Sequence, residues 1–393
     1  MRHKLLPVVL LLICVGAGAR IAMPFYRSHR LASEAEANRY RPNPDVLNLL
    51  NSRNVPRPSL SGLYPCVAAD LKNSQPQAQL TQCGLLSKGG PVDRFEVDLR
   101  YGNFIVRESD LYLNDVFDVP LTRTYNSGDF MHPNPVHAFG RNANHPYDIG
   151  PVGTRNPYTY LALVLEDGNF LYFPRASPGT SYFDAIYQQT EAAGQFYKAV
   201  TSWNGNGWTT WRTDGSMIIF PEAARARNLA QGAPTQMRDG SGNALELQRD
   251  KDHNLQEILT PHQHSIKFEY DFETRIVRAE DDAGHWAKYH YNQRGLLADV
   301  VLSSGHERHY AYEGVLMTEI DDETGQCLLR NSYDGKAIVR QDFGNGQIYS
   351  YSYTRSPGGT YVESVVVTLP DGTQTKVETA SSVPAFMRPQ GAQ

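Results

Sequence analysis

Apolar and polar residues alternate over long parts of the chain, as they do in half-buried β-strands. Arg94–Tyr101 has this pattern, and the Gly102-Asn103 pair that follows predicts a turn. Other predicted strands are Phe104–Glu108, Asp110–Leu113, Val119–Tyr125, Tyr160–Leu165, Phe170–Phe173, Trp208–Arg212 and Met217–Phe220. Asp167-Gly168 and Asp214-Gly215 lie between apolar runs, which predicts hairpins. The pattern therefore predicts an all-β fold.

From Met237 to Tyr353 the pattern repeats about every 21 residues. Each unit holds a glycine turn, a strand with alternating aromatic residues, a second turn and a short aliphatic strand. A lone hairpin cannot bury its apolar face, so we expect the hairpins to stack into one curved, continuous sheet. The marker column comprises Arg249, Tyr270, Tyr291, Tyr312, Tyr333 and Tyr353; the turn column comprises Gly242, Gln263, Gly284, Gly305, Gly325 and Gly346.

The N-terminus has the pattern of a secretory signal peptide. Arg2 and Lys4 precede the apolar stretch Leu5–Val15, and the small residues that follow predict cleavage after Ala19. The alternatives are a retained membrane anchor, for which the apolar run is short, and a lipoprotein anchored through Cys14. We therefore expect an exported protein that is periplasmic, attached to the cell surface or extracellular.

The remaining chain divides by its composition. After the signal peptide, many prolines predict an irregular leader or linker, with short helices at Glu34–Arg39 and Asp45–Leu50. The predicted segments are 1–19 (signal peptide), 20–90 (leader), 91–236 (opening β domain), 237–356 (repeat array) and 357–393 (a terminal strand at Thr360–Val367 and a polar tail).

Composition limits the function. The net charge of the 393 residues is only −5, so we expect no nucleic-acid partner. Membrane contact is expected only through an uncleaved signal peptide. The 23 Tyr, 32 Gly and 24 Pro are typical of strands joined by turns. Cys66 and Cys83 are disulfide candidates in an oxidising compartment, the alternative being two unpaired thiols, and Cys327 is expected to be a packed small residue.

Several short segments form a recognisable set: Tyr270-Asp271, Tyr333-Asp334-Gly335, Gly102-Asn103-Phe104, Glu108–Leu113 and Leu121–Ser127. Through these segments the chain, roughly from Pro91 to Tyr353, resembles Rhs proteins with YD repeats. In that family the repeats form a long β-shell that often encloses a C-terminal toxin. This sequence has about six repeats and neither the Asp-Pro self-cleavage motif nor a toxin domain, so the resemblance implies a short form without a toxin.

A cluster of tryptophans suggests a binding surface. Trp203, Trp208 and Trp211 lie close together in sequence, beside Asn204 and Asn206. Aromatic faces stack on sugar rings and amides bind sugar hydroxyls, and the resemblance to YD-repeat proteins also implies carbohydrate binding. A glycan surface is therefore one hypothesis, and the alternative is that the rings pack in the core.

Other candidate chemistry is weaker, and we expect no metal and no cofactor. Histidines that could hold zinc are His262, His264, His285, His290, His306 and His309, and acids that could hold calcium are Asp281, Asp282, Asp321, Asp322 and Glu323. They lack the spacing of known metal motifs, and Asp also favours turns. No catalytic motif is present, although dispersed carboxylates could still form a glycosidase pair.

We therefore predict a secreted, non-enzymatic protein that acts as a shell fragment or as a surface-interaction or carbohydrate-binding module. Its expected partners are glycans or a second β-shell protein. The alternatives are the remnant of a toxin-delivery shell that needs a separate partner, and a glycan-cleaving hydrolase. An exposed tryptophan face would favour glycan binding, a cleft with two carboxylates the hydrolase, and an open sheet edge a missing partner.

Overall fold

The computed structural model describes residues 40–52, 97–128, 136–153, 158–190, 195–224, 226–357, 359 and 362–379. The chain divides into two compact units, Met1–Leu47 and Asn48–Gln393. The predicted signal peptide, the helix predicted at Glu34–Arg39, and Cys66 and Cys83 lie outside the described residues. No helix of the described part is long and apolar enough to cross a membrane.

A short helix, α1 (Pro44–Leu50), confirms the helix predicted at Asp45–Leu50. Its start follows from two residues. The Val46 N–H donates to Asn43 Oδ1 at 2.9 Å, which satisfies a donor that has no partner within the helix. Proline suits the first helical position because the N–H that it lacks would have no partner there.

The opening part of the second unit forms three small antiparallel sheets. Its strands are β1 (Val97–Asp98), β2 (Asn103–Leu113), β3 (Val119–Asn126), β4 (Val136–His137), β5 (Gly140–Arg141), β6 (Ala143–Asn144), β7 (Gly150–Gly153), β8 (Tyr160–Val164) and β9 (Phe170–Pro174). The sheet orders are β1-β2-β3-β6, β4-β5 and β7-β8-β9.

The following strands form one 18-stranded antiparallel sheet in which neighbours in sequence are neighbours in space. They are β10 (Ile186–Gln188), β11 (Val200–Trp203), β12 (Gly207–Trp211), β13 (Met217–Pro221), β14 (Gln236–Arg238), β15 (Ala244–Arg249), β16 (Leu255–Leu259), β17 (Ser265–Tyr270), β18 (Ile276–Asp281), β19 (Trp286–Tyr291), β20 (Leu297–Leu302), β21 (Glu307–Glu313), β22 (Leu316–Asp322), β23 (Cys327–Asp334), β24 (Ala337–Phe343), β25 (Ile348–Arg355), β26 (Val362–Thr368) and β27 (Gln374–Glu378). A 3₁₀ turn, Ala230–Gly232, precedes β14. The predicted all-β fold with one hairpin per repeat is confirmed.

Several details differ from the sequence prediction. Where a strand was predicted at Arg94–Tyr101, β1 covers only Val97–Asp98 among the described residues, and residues 99–102 form a turn. The strands predicted at Phe104–Glu108 and Asp110–Leu113 form one strand, β2, in which Asp110 is the extra residue of a bulge. Short strands β4 to β7 lie in a region without predicted strands. The sheet continues through residue 237, because β13 pairs with β14 and β14 with β15. β27 lies in the predicted polar tail.

One apolar core joins the opening strands β1 to β6 to the repeat hairpins. Phe104 and Phe139 of the opening part are buried together with Tyr289, Tyr349 and other residues of the repeats. A second core lies among strands β7 to β13 and includes Trp208. The first core explains the alternating aromatic residues of the repeats, because one face of the repeat sheet is covered by the opening strands.

Candidate functional site

The opening strands contact successive repeat hairpins through backbone hydrogen bonds. We call this contact, between residues 102–128 and 136–141 on one side and residues 276–338 on the other, the docking interface. Its backbone bonds run from Ile276 N–H to Ala138 O (2.7 Å), from Arg141 N–H to Gly295 O (2.8 Å) and from Ile338 N–H to Gly102 O (2.8 Å). All three repeat residues lie at or just after the second turn of a hairpin. The opening part therefore contacts equivalent positions in different repeats.

Tyr125 makes the corresponding contact with the hairpin between these positions. Its phenol donates to Val315 O at 2.7 Å and accepts from Met317 N–H at 3.0 Å. The ring is buried, and it packs edge-on against Tyr312 with centroids 6.0 Å apart. A single side chain thereby replaces the backbone pairing seen at the other hairpins.

Two glycines allow the backbones to approach at the docking interface. Gly102 has φ +82°, and a Cβ atom there would lie 2.5 Å from Ala337 Cβ. Gly140 has φ +79°, and a Cβ atom there would lie 2.5 Å from Gly295 O. A larger residue would be strained in its backbone and would also clash. The sequence predicted a turn at Gly102 but gave no sign of this close approach.

A buried charge cluster lies at the centre of the docking interface. Arg123 donates from Nε to Asp110 Oδ2 (2.9 Å) and from Nη2 to Glu108 Oε2 (2.8 Å). The repeats contribute two phenols: Tyr289 donates to Asp110 Oδ2 at 2.9 Å, and Tyr310 donates to Glu108. Arg123 and Asp110 are almost completely buried. The cluster, defined as these five residues, joins the opening strands to two repeats.

The pKa shifts in this cluster follow from burial and from the single arginine. Burial raises the pKa of Asp110, and the attraction of Arg123 offsets only part of this effect. Burial also acts on Glu108, but the charge of Arg123 and the hydrogen bonds from Tyr310 and Arg123 outweigh it and lower the pKa of Glu108. Arg123 therefore stabilises two carboxylates in a site where neither would otherwise ionise easily.

Four of the marker tyrosines share one role. Their phenols donate to backbone carbonyls of the preceding hairpin: Tyr270 to Leu255 O (2.8 Å), Tyr291 to Ile276 O (2.6 Å), Tyr312 to Leu297 O (2.8 Å) and Tyr333 to Met317 O (2.8 Å). A register shift lies beside each of these four residues. The tyrosine therefore stabilises an irregular point of the sheet that recurs in four of the units.

The turn column also has a common conformation. All six of its residues have positive φ, from +71° at Gln263 to +90° at Gly242. The column therefore reflects a left-handed turn position, which explains why five of its six members are glycine.

The structure contradicts an exposed face made by the three tryptophans. Trp208 and Trp211 are buried, because every residue of β12 is covered. Trp203 is half-buried and lies opposite Trp208, with ring centroids 5.5 Å apart. Asn204 uses its amide within the hairpin, donating to Thr209 Oγ1 and accepting from Asn206 N–H at 3.0 Å each.

A different aromatic surface surrounds Trp203. The rings of Tyr182 and Phe183 lie with centroids 4.0 Å apart and planes tilted by 31°, and both centroids are within 5.6 Å of that of Trp203. Phe183 is 56% exposed. We call Tyr182, Phe183 and Trp203 the aromatic surface. A cleft of about 320 Å³ lies beside Trp208 and is bounded by Tyr187 and Arg227. Sequence reasoning missed Tyr182 and Phe183 because they lie on an irregular segment before β10.

Several candidate metal ligands form ion pairs with nearby carboxylates of the repeats, whereas His262 binds Asp115 of the opening part. His264 binds Asp282 at 2.8 Å, His285 binds Asp281 at 2.8 Å and His309 binds Asp299 at 2.7 Å. Asp281 and Asp322 accept backbone N–H groups within their own turns.

One unpredicted group of possible metal ligands occurs in the described part of the chain. Glu319, Asp321 and Cys327 place ligand atoms within 4.8 Å of one another on β22 and β23. Cys327 is a half-buried free thiol, in agreement with its predicted packing role. Glu319 also binds Arg330.

Comparisons with known proteins cover parts of the chain. Residues 96–173 match the model of a domain of unknown function, DUF6531, which is about a fifth of the sequence. No curated protein matches. Similar solved structures include the Photorhabdus luminescens Tc holotoxin pore (12% identity, TM-score 0.29) and a TcdB2–TccC3 complex without its hypervariable C-terminal region (12% identity, TM-score 0.30). Each match covers 68% of this chain but only 15% of the other chain.

Proposed function

We propose that this chain is an exported, non-enzymatic scaffold of the Rhs/YD-repeat type, whose repeat sheet forms part of a larger β-structure with a second protein. The observation that carries the proposal is the docking interface. The opening strands contact hairpin after hairpin at equivalent positions, which is the arrangement expected of a part that holds a repeat sheet in shape.

The carboxylates at the docking interface support a structural role. Glu108 and Asp110 are two neighbouring carboxylates of the kind that a glycosidase uses, but both bind the same arginine. Asp110 is also almost fully buried. A hydrolase needs its two carboxylates at the surface of a cleft that admits a sugar. We therefore place the hydrolase hypothesis behind the scaffold.

The last described strand, β27, supports a partner. Among the described residues, β27 pairs only with β26. Backbone hydrogen bonds run from Leu369 N–H to Thr373 O and from Thr379 N–H to Glu363 O. In an antiparallel pair every second residue bonds to the neighbouring strand, so the N–H groups of Gln374, Lys376 and Glu378 point away from β26. Strand addition uses such outward N–H groups. Lys376 and Glu378 form an ion pair of 2.7 Å, and edge charges discourage unspecific pairing.

The test asks whether a second protein is bound to this chain when it is purified from the exported fraction of its own host. We would measure the mass in solution and identify bound proteins by mass spectrometry for the wild type, Lys376→Pro and Lys376→Ala. Proline removes one outward N–H and leaves the β26 bonds, whereas alanine removes the charge and keeps the N–H. We expect a complex with a second protein for the wild type and Lys376→Ala, and its loss for Lys376→Pro. A monomer in all three samples would contradict the scaffold with a partner.

A second candidate function, glycan binding, is favoured by the aromatic surface. Phe183 and the half-buried Trp203 place two rings 5.5 Å apart, perpendicular to each other, next to the turn that holds Asn204 and Asn206. Rings that remain accessible are available to stack on sugars, whereas Trp208 and Trp211 are not.

The glycan test compares Trp203→Ala and Phe183→Ala with Phe272→Ala on a glycan array. Phe272 is a matched control because its ring is 91% exposed and it lies in a different hairpin, at the turn between β17 and β18. We expect any glycan signal to fall at least tenfold in the first two variants and to remain in the control. Equal signals in all three variants would remove the aromatic surface as the site.

A further inference from the structure

His145 lies fully buried between the opening strands and the first repeats. It follows β6, and its ring stacks on Phe268 of β17 with centroids 6.3 Å apart. Phe139 and Tyr147 complete the surroundings, each with its ring centroid 5.8 Å from that of His145. Neither ring nitrogen has a hydrogen-bond partner among the residues that the structure describes. Most buried polar groups do have one, so this histidine is unusual.

The charged groups near His145 form a second connection between the opening strands and the repeats. Asp148 Oδ2 lies 3.8 Å from His145 Nε2, and Asp148 Oδ1 accepts from Arg249 Nη1 at 2.8 Å. Arg249 stands at the first marker position, where the later repeats carry tyrosine, and it also donates to Tyr147 O and to His253 O. Arg249 therefore binds the loop of His145 to β15.

A proton on His145 would disturb this connection. The imidazolium would carry a charge inside an aromatic site where neither ring nitrogen has an acceptor within hydrogen-bond distance, and burying such a charge is costly. Asp148 Oδ2, which lies 3.8 Å from Nε2, would attract this charge, but burial outweighs that attraction. Its nearest anion, Asp148, is already paired with Arg249, and the new charge would repel that guanidinium. The other titratable groups that face the site are Glu166, His137 near Asp148, and the phenols of Tyr147 and Tyr270.

We propose that His145 is an acid-sensitive latch: it holds the loop after β6 on the first repeats while its ring is neutral, and proton uptake releases that loop. The proton comes from solvent and binds a ring nitrogen in the open state. Burial lowers the pKa of His145 in the closed state, so the closed state resists this proton. The open state has an ordinary histidine pKa near 6.5.

The equilibrium between the open and the closed state depends on pH because His145 has a different pKa in each state. Above about pH 6.5 both states are neutral and the latch is indifferent to pH. Below that pH only the open state takes up the proton, so the ratio of open to closed molecules rises about tenfold per pH unit. The rise ends when the pH falls below the lowered pKa of the closed state.

The test measures amide hydrogen exchange of residues 136–149 and 265–270 in the full chain between pH 5.0 and 7.5, corrected for the intrinsic pH dependence of exchange. We expect the opening constant of the wild type to rise about tenfold per pH unit below pH 6.5. His145→Gln and His145→Phe should lack this rise. His290→Gln is the matched control, because His290 is exposed on β19, and it should behave as the wild type.

A measurement on the wild type alone keeps the proposal testable if both variants fail to fold. Exchange of the imidazole C2 proton, followed by mass spectrometry, gives the pKa of each histidine in its own peptide. We expect a value clearly below 6.5 for His145. An ordinary pKa for His145, or the same pH slope in the wild type and in the variants, would overturn the latch.

Discussion

Two kinds of residue occupy the left-handed turn positions of the repeats, and they differ in backbone strain. Gly284 and Gly295 adopt φ of +86° and +74° without steric conflict. Thr274 adopts φ +62° at the position equivalent to Gly295, although a β-branched residue is disfavoured there. The turn is held by Asp271, whose side chain accepts from the N–H groups of Glu273 and Arg275. The side chain of Asp271 therefore helps the chain to tolerate a strained residue.

Replacing Thr274 with glycine should stabilise the protein. Thr274 is exposed, so little packing is lost, and relief of the left-handed strain should outweigh the added freedom of the unfolded chain by about 1 kcal/mol. The converse change, Gly284→Ala, should destabilise by about 1 kcal/mol, because it introduces strain where no atom would touch the new Cβ. Urea unfolding of both variants gives the two free energies. Changes of the same sign would contradict the argument.

At the scale of the element, the marker tyrosine connects one hairpin to the next. The Tyr312 phenol donates to Leu297 O, and its ring packs against Tyr125 of the docking interface. Burial raises the pKa of Tyr312, so the phenol stays protonated and remains a donor at neutral pH. The same bond in other repeats makes the hairpins interdependent.

Tyr312→Phe should remove that bond and keep the ring. The Leu297 carbonyl would lose its phenol donor in a half-buried place, so we expect a loss of about 1 kcal/mol in the free energy of unfolding. Tyr270→Phe, which removes the equivalent bond to Leu255 O, is the comparison and should give a similar loss. Calorimetry or urea unfolding measures both. No loss in either variant would show that solvent replaces the phenol at no cost.

Sequence reasoning found the hairpins but not their contacts. The tyrosine and glycine columns predicted the repeat because side-chain alternation and left-handed turns are local properties. The docking interface joins residues far apart in sequence, such as Tyr125 and Val315, and no local pattern encodes that pairing. For the tryptophans, local pattern could not decide between a glycan surface and packing in the core, and the structure confirms core packing for Trp208 and Trp211. Both are buried because β12 is covered on both faces.

At the scale of the molecule, the opening strands and the repeats share one core and should unfold together. The charge cluster is a polar interruption of that core, and its five side chains come from both parts. A buried ion pair adds little net stability, but removing one partner is strongly destabilising because it leaves a buried charge without compensation. Arg123 serves two carboxylates, so its removal is the most severe change available in the cluster.

Arg123→Met should therefore destabilise the protein by about 3 to 5 kcal/mol at pH 7.5. Without the arginine, burial would raise the pKa of both Glu108 and Asp110, and each carboxyl would be more easily protonated in the folded state than in the unfolded state. Such groups favour folding at low pH, so the difference between variant and wild type should shrink as the pH falls towards 5. His145 is present in both proteins, so any contribution from it cancels in the difference. Urea unfolding at both pH values measures the effect.

Arg340→Met, which removes an exposed ion pair with Asp342, is the control and should cause no measurable loss at either pH. A loss for Arg123→Met that does not depend on pH would mean that packing, and not the two carboxylates, determines the role of Arg123.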